Sequence, residues 1–537
     1  MKKINQYQLI LLTAFFWIIF NNPLFFGNLT KVFPLEGLMI LFVLSVGILV
    51  VFLNTFLISL VASKYTTKPL LILITLVSAF TNYFMNTYNV VIDYTMIQNS
   101  LQTNFHESLD LLSVQLVVYV VLLGLIPSYV IYKTPVEYSN ISSQLFLKLK
   151  YTIVSLAIIA GVLFSFSKYY TSFFREHKPL RYYTNPTYWI YSIYKYIEVT
   201  ANSIPKEMTK IGLDAKIDSK DYKKRQIVIM VVGEAARADR FELNGYSKNT
   251  NPLLKNQDII NLSNISSCGT TTAISVPCMF SYYGREDYNY KNGISTYNVV
   301  DVLNQTNQIN ILWRDNNSDS KGVALRVPFE DYRTNATNTI CDIECRDEGM
   351  LVGLDEYIKT HNDKDILIIL HQMGNHGPAY YKRYPKEFEK FTPVCKTNQL
   401  EQCSVQEISN AYDNVILYTD YFLDKTINFL KQYDKTHETA MLYMADHGES
   451  LGENGLYLHG IPYFMAPSEQ THVASLVWFG KQMKQKIDLQ KLSTQSDTAW
   501  SHDNLFHTLL GIFDVQTSVY DSKLDILNHF RKETSEQ

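Results

Sequence analysis

The sequence predicts an α-helical membrane part followed by an exported α/β domain, and three observations lead to that fold class. Residues 1–168 are overwhelmingly apolar, whereas the remainder has the charge density of a soluble domain. The second part alternates buried apolar runs with segments of helical periodicity. All six cysteines lie in the second part, which is typical of disulfides formed in an oxidising compartment. The net charge of −3 is nearly neutral and predicts no nucleic-acid partner.

Apolar segments in the first part are each close to the roughly 20 residues that a helix needs to cross a bilayer. They cover residues 8–26, 37–62, 69–88, 114–132 and 151–166. The first segment follows Lys2 and Lys3 as a signal peptide would, but it lacks a small-x-small cleavage site, so we predict a retained helix. The sequence therefore predicts five transmembrane helices.

The lysines in the loops between these segments predict the orientation of the chain in the membrane. With the N-terminus inside, the outer loops contain Lys31 alone. The inner loops then contain Lys2, Lys3, Lys64, Lys68, Lys133, Lys148 and Lys150. An odd number of spans exports everything after the last segment, which is also the side on which disulfides form.

Residues 169–220 are predicted to connect the two parts. They are rich in Tyr, Trp and Lys, and residues 188–197 read YWIYSIYKYI. Helices with aromatic and basic side chains tend to lie in the membrane interface, so this connector would hold the next domain against the bilayer surface. A simple linker helix packed on protein explains the pattern equally well.

From residue 221 onward the pattern is that of an α/β domain with a largely parallel sheet. Apolar runs predict buried strands within residues 226–234, 366–377, 439–445 and 473–480. Apolar residues at helical spacing predict a long helix over residues 404–433, and the segment AARADRFELNGY after Glu234 is predicted to form a loop and a helix.

Three of the predicted strands end in side chains that can bind a metal ion. The strand ends and the glycine-rich loop after the third supply Glu234, His371, His376, Asp446, His447 and His459. Open α/β sheets carry their chemistry at the carboxyl ends of strands. Carboxylates mixed with imidazoles suit zinc, or manganese if the imidazoles do not bind. One such carboxylate alone would more simply cap a helix, but three strand ends together predict a metal site.

A nucleophile is expected in the segment SSCGTTTAISVPCMF, residues 266–280, where Cys268 and Cys278 enclose three threonines. A threonine hydroxyl is a weak nucleophile unless a metal or a base activates it. The triplet is therefore of interest because metal ligands accompany it. The residues themselves do not choose among Thr270, Thr271 and Thr272.

Five long motifs carry a resemblance to a known family. In chain order they are GEAARADRFELNGY, SCGTTTAISVPCMFS, WRDNNSDSKG, NHGPAYYKRYP and DHGESLGENGLYLHG. Together they resemble the phosphoethanolamine–lipid A transferases, which include the mobile colistin-resistance enzymes and belong to the alkaline phosphatase/sulfatase-like superfamily. The resemblance covers essentially the whole chain. It implies a periplasmic catalytic domain of that superfamily's fold, residues 221–537, anchored in the bacterial inner membrane.

The resemblance also implies a role for individual residues. It implies one tightly bound zinc ion, allows a second, and makes Thr272 the nucleophile. The tightly bound ion would be held by Glu234, Thr272, Asp446 and His447. The substrate headgroup or a second zinc would be contacted by His376 and His459, and the phosphoryl group by Asn317 and Lys321. His371 has a spacing that fits the site, but it could equally hold another site residue in place without contacting the metal or the substrate. His472 and His502 are expected to be structural.

The six cysteines, taken in order, form the short-range pairs Cys268–Cys278, Cys341–Cys345 and Cys395–Cys403. The second part contains no C-x-x-C motif, so disulfides explain the cysteines better than a zinc ribbon does. The middle pair is a departure from the resemblance, since the family's middle disulfide often spans a longer loop than the CDIEC segment here.

The implied activity is transfer of phosphoethanolamine from phosphatidylethanolamine to a phosphate of lipid A, through a covalent phosphothreonine-type intermediate. Masking an anionic phosphate would weaken binding of polymyxin and other cationic peptides. The alternatives are transfer of phosphoethanolamine or phosphoglycerol to another envelope acceptor (a core sugar, a glycan or a protein) and an inactive membrane-tethered metal-binding protein. A sulfatase is excluded because Cys278 lacks the Cys-x-Pro-x-Arg motif. We expect a monomer.

Overall fold

The computed structural model describes residues 3–103, 109, 111–138, 140–175, 177–201, 208–217 and 224–532. The chain forms two compact units. The first unit contains Met1–Ile97 and Leu112–Tyr196, and the second unit contains Gln98–Leu111 and Ile197–Gln537. The domain boundary predicted after residue 168 falls inside a helix of the first unit, Ser167–Arg175. The boundary predicted at residues 220 and 221 lies outside the described residues, so the three-part division stays a prediction.

The N-terminal part of the chain is helical. Its helices are α1 (Gln6–Phe20), α2 (Pro23–Val32), α3 (Leu38–Val61), α4 (Thr67–Tyr88), α5 (Tyr94–Gln102), α6 (Val114–Lys133), α7 (Ile141–Ser165), α8 (Ser167–Arg175) and α9 (Thr187–Ala201). A π-helical segment at Val120–Leu125 interrupts α6, and a 3₁₀ helix spans Lys178–Tyr183. The short strands Ile4–Asn5 and Val136–Glu137 pair in parallel.

Among the described helices, α3, α4, α6 and α7 are long and apolar enough to cross a membrane, and α1 with α2 makes a fifth span if the pair is counted as one. The two helices of that pair are bent by 63°, so the segment predicted over residues 8–26 is a broken helix. Pro23 begins α2 and lacks an N–H. Beside it, the Asn22 side-chain amide donates a 2.9 Å hydrogen bond to the Trp17 carbonyl. The same carbonyl also accepts the Asn21 N–H at 2.8 Å, so both asparagines close the last turn of α1.

A seven-stranded sheet organises the second unit. Its strands are β1 (Gln226–Gly233), β2 (Ile259–Asn261), β3 (Ile309–Asp315), β4 (Phe329–Asp331), β5 (Asp365–His371), β6 (Glu438–Ala445) and β7 (Ser475–Phe479). Their order across the sheet is β2-β7-β6-β1-β5-β3-β4. Strands β6, β1, β5, β3 and β4 are parallel neighbours, and β7 is antiparallel to both of its neighbours.

The predicted strands correspond to β1, β5, β6 and β7. Every residue of β1, β5 and β6 is buried, which explains why these strands are continuous apolar runs rather than alternating patterns. Smaller sheets pair Lys216–Ile217 with Val515–Gln516, Ser450–Leu451 with Tyr457–Leu458, and Ile265–Ser266 with both His472–Val473 and Trp500–Ser501.

Helices flank the sheet. They are α10 (Thr272–Met279), α11 (Tyr290–Ser295), α12 (Val299–Gln305), α13 (Leu354–Thr360), α14 (Val405–Lys431), α15 (Ser468–Thr471), α16 (Met483–Lys486), α17 (Leu489–Thr494) and α18 (Leu505–Ile512). The predicted long helix is α14, which begins after a capping box formed by Ser404 and Glu407. The helix predicted after Glu234 is wrong, because that segment is a loop with two short 3₁₀ turns, Ala238–Arg240 and Glu242–Asn244.

The cysteines lie in pairs in the structure. The pairs are Cys268–Cys278, Cys341–Cys345 and Cys395–Cys403. The first pair joins the loop before α10 to the last turn of that helix, so α10 is closed into a small covalent ring.

Candidate functional site

Glu234 and Asp446 lie side by side because they follow neighbouring parallel strands in register. Gly233 at the end of β1 pairs with Ala445 at the end of β6, and both acidic residues are 0% exposed. Ala235 adopts φ +52°, a left-handed conformation that is uncommon for a residue with a side chain. This turn directs the Ala235 N–H to Asp446 Oδ1 at 3.0 Å, and the His447 N–H donates to the same oxygen at 2.7 Å.

The other oxygens of the two carboxylates are the key feature of the site. Within the part of the chain that the structure describes, Glu234 Oε1 and Asp446 Oδ2 are buried and accept no hydrogen bond. His447 Nε2 lies 3.4 Å from each of them. Burial, and then the negative charge of Asp446, raise the pKa of Glu234 well above its usual range. Buried carboxylate oxygens without partners are costly, and a cation between them would relieve that cost.

His447 presents a lone pair to these carboxylates. Its Nδ1 lies 2.8 Å from the Gly448 carbonyl, an acceptor, so Nδ1 carries the hydrogen and Nε2 is left to accept or to bind a metal. Burial lowers the pKa of His447, which keeps the ring neutral as a metal ligand must be. Ligand atoms of Glu234, Asp446 and His447 lie within 4.8 Å of one another. The three residues therefore fit a divalent metal ion.

The structure distinguishes two members of the threonine triplet. Thr272 is the first residue of α10 and its hydroxyl donates to Glu234 Oε2 at 3.1 Å, with His447 Nε2 3.4 Å away. The Thr270 hydroxyl donates instead to the Ile461 carbonyl at 2.7 Å. A hydroxyl is thus held against the group of metal ligands, and it belongs to the residue that the resemblance implies as nucleophile.

Asn317 lies in the same cluster, although its contacts are with the protein. Its Nδ2 donates to Glu234 Oε2 and to the Gln372 carbonyl, both at 2.9 Å. It therefore fixes the orientation of Glu234. His371 Nδ1 lies 2.8 Å from Asp315 Oδ2, and Asp315 Oδ1 accepts the Asn317 N–H at 3.0 Å. His371 thus supports the segment that carries Asn317.

Lys321 has a side chain that is 4% exposed, and its Nζ lies 3.8 Å from Asp319 Oδ1. The residue itself adopts a left-handed backbone conformation, with φ +49°. Its role as a phosphoryl contact stays a prediction.

A second cluster adjoins the first through His447. Ligand atoms of His447, Glu449 and His459 lie within 4.8 Å of one another. His459 Nδ1 lies 2.8 Å from Glu449 Oε2, and the Tyr380 hydroxyl donates to Glu449 Oε1 at 2.8 Å. The His459 ring centroid is 4.3 Å from that of His447.

His376 completes this second cluster from the loop after β5. Its ring centroid lies 5.9 Å from that of His459. Burial, and then the positive charge of Arg383, lower the pKa of His376 well below its usual range. His376 is therefore a neutral imidazole, able to accept a hydrogen bond or to bind a metal.

Sequence reasoning missed Glu449, which its local pattern allows to be read as part of the first turn of a helix. No helix begins there: Ser450–Leu451 is a short strand. The signal was present, since Glu449 follows His447 by two residues and side chains two apart in an extended segment point to the same side. Tyr380 gave no such signal, because nothing in its local pattern relates it to Glu449.

The largely parallel sheet, with a candidate metal site and a hydroxyl at its carboxyl edge, is that of an α/β enzyme of the sulfatase type. The family described as "Sulfatase" matches residues 226–515, and the family described as "Phosphoethanolamine transferase EptA/EptB" matches residues 50–201. The chain belongs to the phosphoethanolamine transferase family.

Full-length relatives agree with this assignment. The chain is 43% identical over 526 residues to phosphatidylethanolamine transferase Mcr-1 of Escherichia coli, covering 96% of each chain. It is 37% identical over 542 residues to phosphoethanolamine transferase EptA of Escherichia coli strain K12, covering 99% of this chain and 98% of that one.

A solved structure extends the likeness to the membrane part. The integral membrane protein lipooligosaccharide phosphoethanolamine transferase A (EptA) of Neisseria meningitidis has a TM-score of 0.94 and 34% identity, covering 99% of this chain and 100% of that one. These findings confirm the predicted family and the predicted fold class.

Proposed function

We propose that the protein transfers phosphoethanolamine from phosphatidylethanolamine to a phosphate of lipid A. The observation that carries this proposal is the Thr272 hydroxyl, held 3.1 Å from Glu234 beside two buried carboxylate oxygens that lack partners. The relatives support the substrate class, since one is named as a phosphatidylethanolamine transferase and two as phosphoethanolamine transferases, and one of these names includes lipooligosaccharide. Lipid A is the membrane anchor of lipooligosaccharide.

The residues of the first cluster would hold one zinc ion: Glu234, Asp446 and His447 as ligands, with Thr272 beside them. Mixed carboxylate and imidazole donors suit that ion. When bound, zinc supplies positive charge that stabilises a phosphoryl group in its transition state and favours the ionised form of a hydroxyl. His459 and Glu449, with His376 nearby, would contact the headgroup or hold a second, weaker ion.

Two displacements at one phosphorus complete the reaction. Thr272 Oγ1 forms a bond to the phosphorus of phosphatidylethanolamine, and the bond from phosphorus to the diacylglycerol oxygen breaks. The hydroxyl hydrogen of Thr272 points to Glu234 Oε2, which is placed to accept it and to pass the same proton to the diacylglycerol oxygen as that oxygen leaves.

An oxygen of a lipid A phosphate then attacks the same phosphorus. Thr272 Oγ1 leaves and takes up, through Glu234 Oε2, the proton that the attacking phosphate hydroxyl gives up. Two displacements at one site give ping-pong kinetics. Thr272 begins α10, so the unbonded amides of the first helical turn face the phosphoryl oxygens and favour their negative charge. Asn317 and Lys321 are the further phosphoryl contacts that we propose.

The chain is a multi-pass protein of the bacterial inner membrane, and its α/β domain faces the periplasm. That placement gives the site access to the lipids of the periplasmic leaflet. Modified lipid A carries an added amine and one masked phosphate, so it attracts polymyxin and other cationic peptides less strongly. We propose that the protein acts as a monomer.

The proposal is tested by mass spectrometry of lipid A from a polymyxin-sensitive Gram-negative host. The host would express the wild type, Thr272→Ala, or Thr270→Ala as a matched control that removes a hydroxyl from the same triplet. We expect a phosphoethanolamine-sized mass increase with the wild type and the control, and none with Thr272→Ala. An increase with Thr272→Ala would reject the nucleophile. Unmodified lipid A in all three would move the acceptor to a core sugar, a glycan or a protein.

A further inference from the structure

His502 is a fully buried histidine that the mechanism has not used. It follows the short strand Trp500–Ser501, which pairs in parallel with Ile265–Ser266. Because the two strands run in the same direction, the segments that follow them leave the sheet at the same end. His502 and Cys268 therefore lie together, next to the loop that leads into α10.

The ring of His502 bridges two elements of the site. Its Nδ1 accepts the Cys268 N–H at 3.0 Å, and its Nε2 lies 2.9 Å from the carbonyl of Ala445, the last residue of β6. A backbone N–H can only donate and a carbonyl can only accept, so Nε2 carries the hydrogen and the ring is neutral. Burial lowers the pKa of His502 to about 4, which agrees with the neutral ring.

Ser275, on α10, forms a second link between the same elements. Its hydroxyl donates to the Asp446 carbonyl and accepts the Gly269 N–H at 3.3 Å. The hydroxyl oxygen lies 3.2 Å from His502 Nδ1, so the two links are in contact. Both links therefore join the segment that contains Thr272 to the end of β6, which Asp446 and His447 follow.

We propose that His502 is a positioning residue: it sets the distance between the Thr272 hydroxyl and the metal ligands that follow β6. The disulfide between Cys268 and Cys278 closes α10 on itself but attaches it to no other element of the sheet. His502 makes that attachment, with one nitrogen on the nucleophile segment and the other on β6. The proposal rests on the proposed function for its kinetic consequence, though not for its geometry.

A loss of this bridge would act on the rate more than on binding. Thr272 would keep its hydroxyl and zinc would keep its ligands, but the hydroxyl would no longer be held at one place relative to them. Misplacement of a reacting group by about 1 Å can lower a rate about 100-fold. Binding of the donor lipid uses other residues and should change little.

The test compares His502→Asn with His507→Asn in the full-length protein purified in detergent. Asparagine at 502 keeps an acceptor for the Cys268 N–H but is too short to donate to Ala445. His507 is a matched control, because it is 3% exposed, its Nδ1 accepts the Asp521 N–H at 3.1 Å, and burial lowers its pKa to about 4 as well. In both variants, asparagine thus replaces a buried, neutral imidazole that accepts a backbone N–H.

Three readouts are taken for each protein. The first is kcat and KM for release of diacylglycerol from a fluorescent phosphatidylethanolamine. The second is the absorption spectrum after zinc has been replaced with Co²⁺, which reports the ligands and geometry of the bound ion. The third is the melting temperature. Thr272→Ala is also measured, because its Co²⁺ spectrum is the reference for a site without that hydroxyl.

We expect His502→Asn to lower kcat about 10- to 100-fold with KM within about twofold of wild type. Its Co²⁺ spectrum should shift towards that of Thr272→Ala, whereas His507→Asn should keep the wild-type kcat and spectrum. A His502→Asn protein with wild-type kcat and spectrum would overturn the proposal. Equal losses in the two histidine variants, in step with their melting temperatures, would also overturn it.

The readouts separate this inference from the proposed function. If the wild type releases no diacylglycerol, the proposed function fails, and the Co²⁺ spectra still decide whether His502 positions Thr272. If the wild type is active and the two histidine variants behave alike, the positioning role fails and the proposed function stands.

Discussion

The two clusters at the carboxyl edge of the sheet share His447, yet they differ in how complete they are. In the first, Glu234 Oε1 and Asp446 Oδ2 are buried without a hydrogen-bond partner among the described residues. In the second, Glu449 accepts the Tyr380 hydroxyl on one oxygen and contacts His459 Nδ1 with the other. The carboxylate oxygens of the first cluster therefore require a cation, whereas those of the second cluster already have hydrogen-bond partners in the protein. We expect removal of a residue from the first cluster to abolish metal binding, and removal from the second to weaken the reaction.

Asp446→Asn should have the largest effect. Asparagine can still accept the Ala235 and His447 N–H groups on its oxygen, but it replaces the unpaired Oδ2 with an amide that cannot bind a metal. We expect zinc content to fall at least about tenfold and phosphoethanolamine transfer about 10³-fold or more. Elemental analysis and a diacylglycerol-release assay measure the two quantities.

Asp420→Asn is the control for loss of a buried carboxylate outside the two clusters. Asp420 is also fully buried, and its Oδ2 accepts the Leu253 N–H at 2.9 Å and its Oδ1 the Leu254 N–H at 3.0 Å, so asparagine there gives up one backbone hydrogen bond. Both activity and zinc should be retained in that variant. Retention of zinc by Asp446→Asn would show that the unpaired oxygens do not mark the metal site.

Zinc should stabilise the protein, and more so at pH 8 than at pH 6. Saturation at about 100 times Kd adds about 2.7 kcal/mol to the free energy of unfolding, or about 4 °C in melting temperature for a domain of about 300 residues. Burial and the charge of Asp446 raise the pKa of Glu234 in the metal-free protein. Zinc must therefore displace a proton at the lower pH.

The sign of this pH dependence follows from linkage. A carboxyl group whose pKa is raised on folding destabilises the metal-free fold as pH rises above the ordinary carboxyl range, because the unfolded chain ionises first. The bound cation removes that loss, so the zinc-induced increase in melting temperature should grow with pH. An increase that is equal at the two pH values, or that persists in Asp446→Asn, would contradict the assignment of the first cluster.

Glu449→Gln should have an intermediate effect. The variant removes the carboxylate that orients His459 but leaves every ligand of the first cluster in place. We expect transfer to fall about 10- to 100-fold while zinc content stays at the wild-type level. If zinc is lost to the same degree as in Asp446→Asn, then Glu449 belongs to the tight metal site and the two clusters are one.

Tyr380→Phe should have the smallest effect, since it removes a single hydrogen bond to Glu449 Oε1. That bond contributes about 1 kcal/mol, so transfer should fall about fivefold. Tyr384→Phe serves as the control, because its hydroxyl is likewise buried and makes one long contact, 3.4 Å, with Asn414. A larger loss in Tyr380→Phe than in Glu449→Gln would mean that the Tyr380 hydroxyl contacts the substrate itself.

The sequence predicted the first cluster well, because its members end long buried strands. β1 and β6 are continuous apolar runs, and the residue after each run is an acid. The contact of Asn317 with this cluster could not be predicted from the ends of apolar runs. β3 carries Asn310 and Arg314 among its apolar residues, and no strand was predicted there. The contact between Asn317 and Glu234 depends on the position of β3, so this contact could not be predicted either.

Two local errors have physical causes. The helix predicted after Glu234 does not form because Ala235 turns to a left-handed conformation and the following loop is held by the Tyr412 hydroxyl, which accepts the Arg237 N–H at 3.0 Å. The first membrane segment was predicted as one retained helix, although the sequence Asn-Asn-Pro at residues 21–23 is a turn signal. Hydropathy averages over such a break and does not detect it.

The choice of Thr272 shows where spacing alone is insufficient. The three threonines are equivalent as residue types, and their surroundings differ because α10 begins at Thr272 and that hydroxyl donates to Glu234. A helix start within a run of identical residues has no composition signal. The family resemblance supplied the choice, and the structure supplies the geometric reason for it.

The left-handed turn at Ala235 has a consequence for the speed of metal uptake. The peptide before it donates to Asp446, and the peptide after it accepts the Tyr412 hydroxyl at 2.6 Å, so both sides of the turn are fixed. The backbone turn therefore holds Glu234 and Asp446 at a fixed separation. An incoming ion has no loop to order, and its association rate should be limited by loss of its own hydration water rather than by a conformational change of the protein.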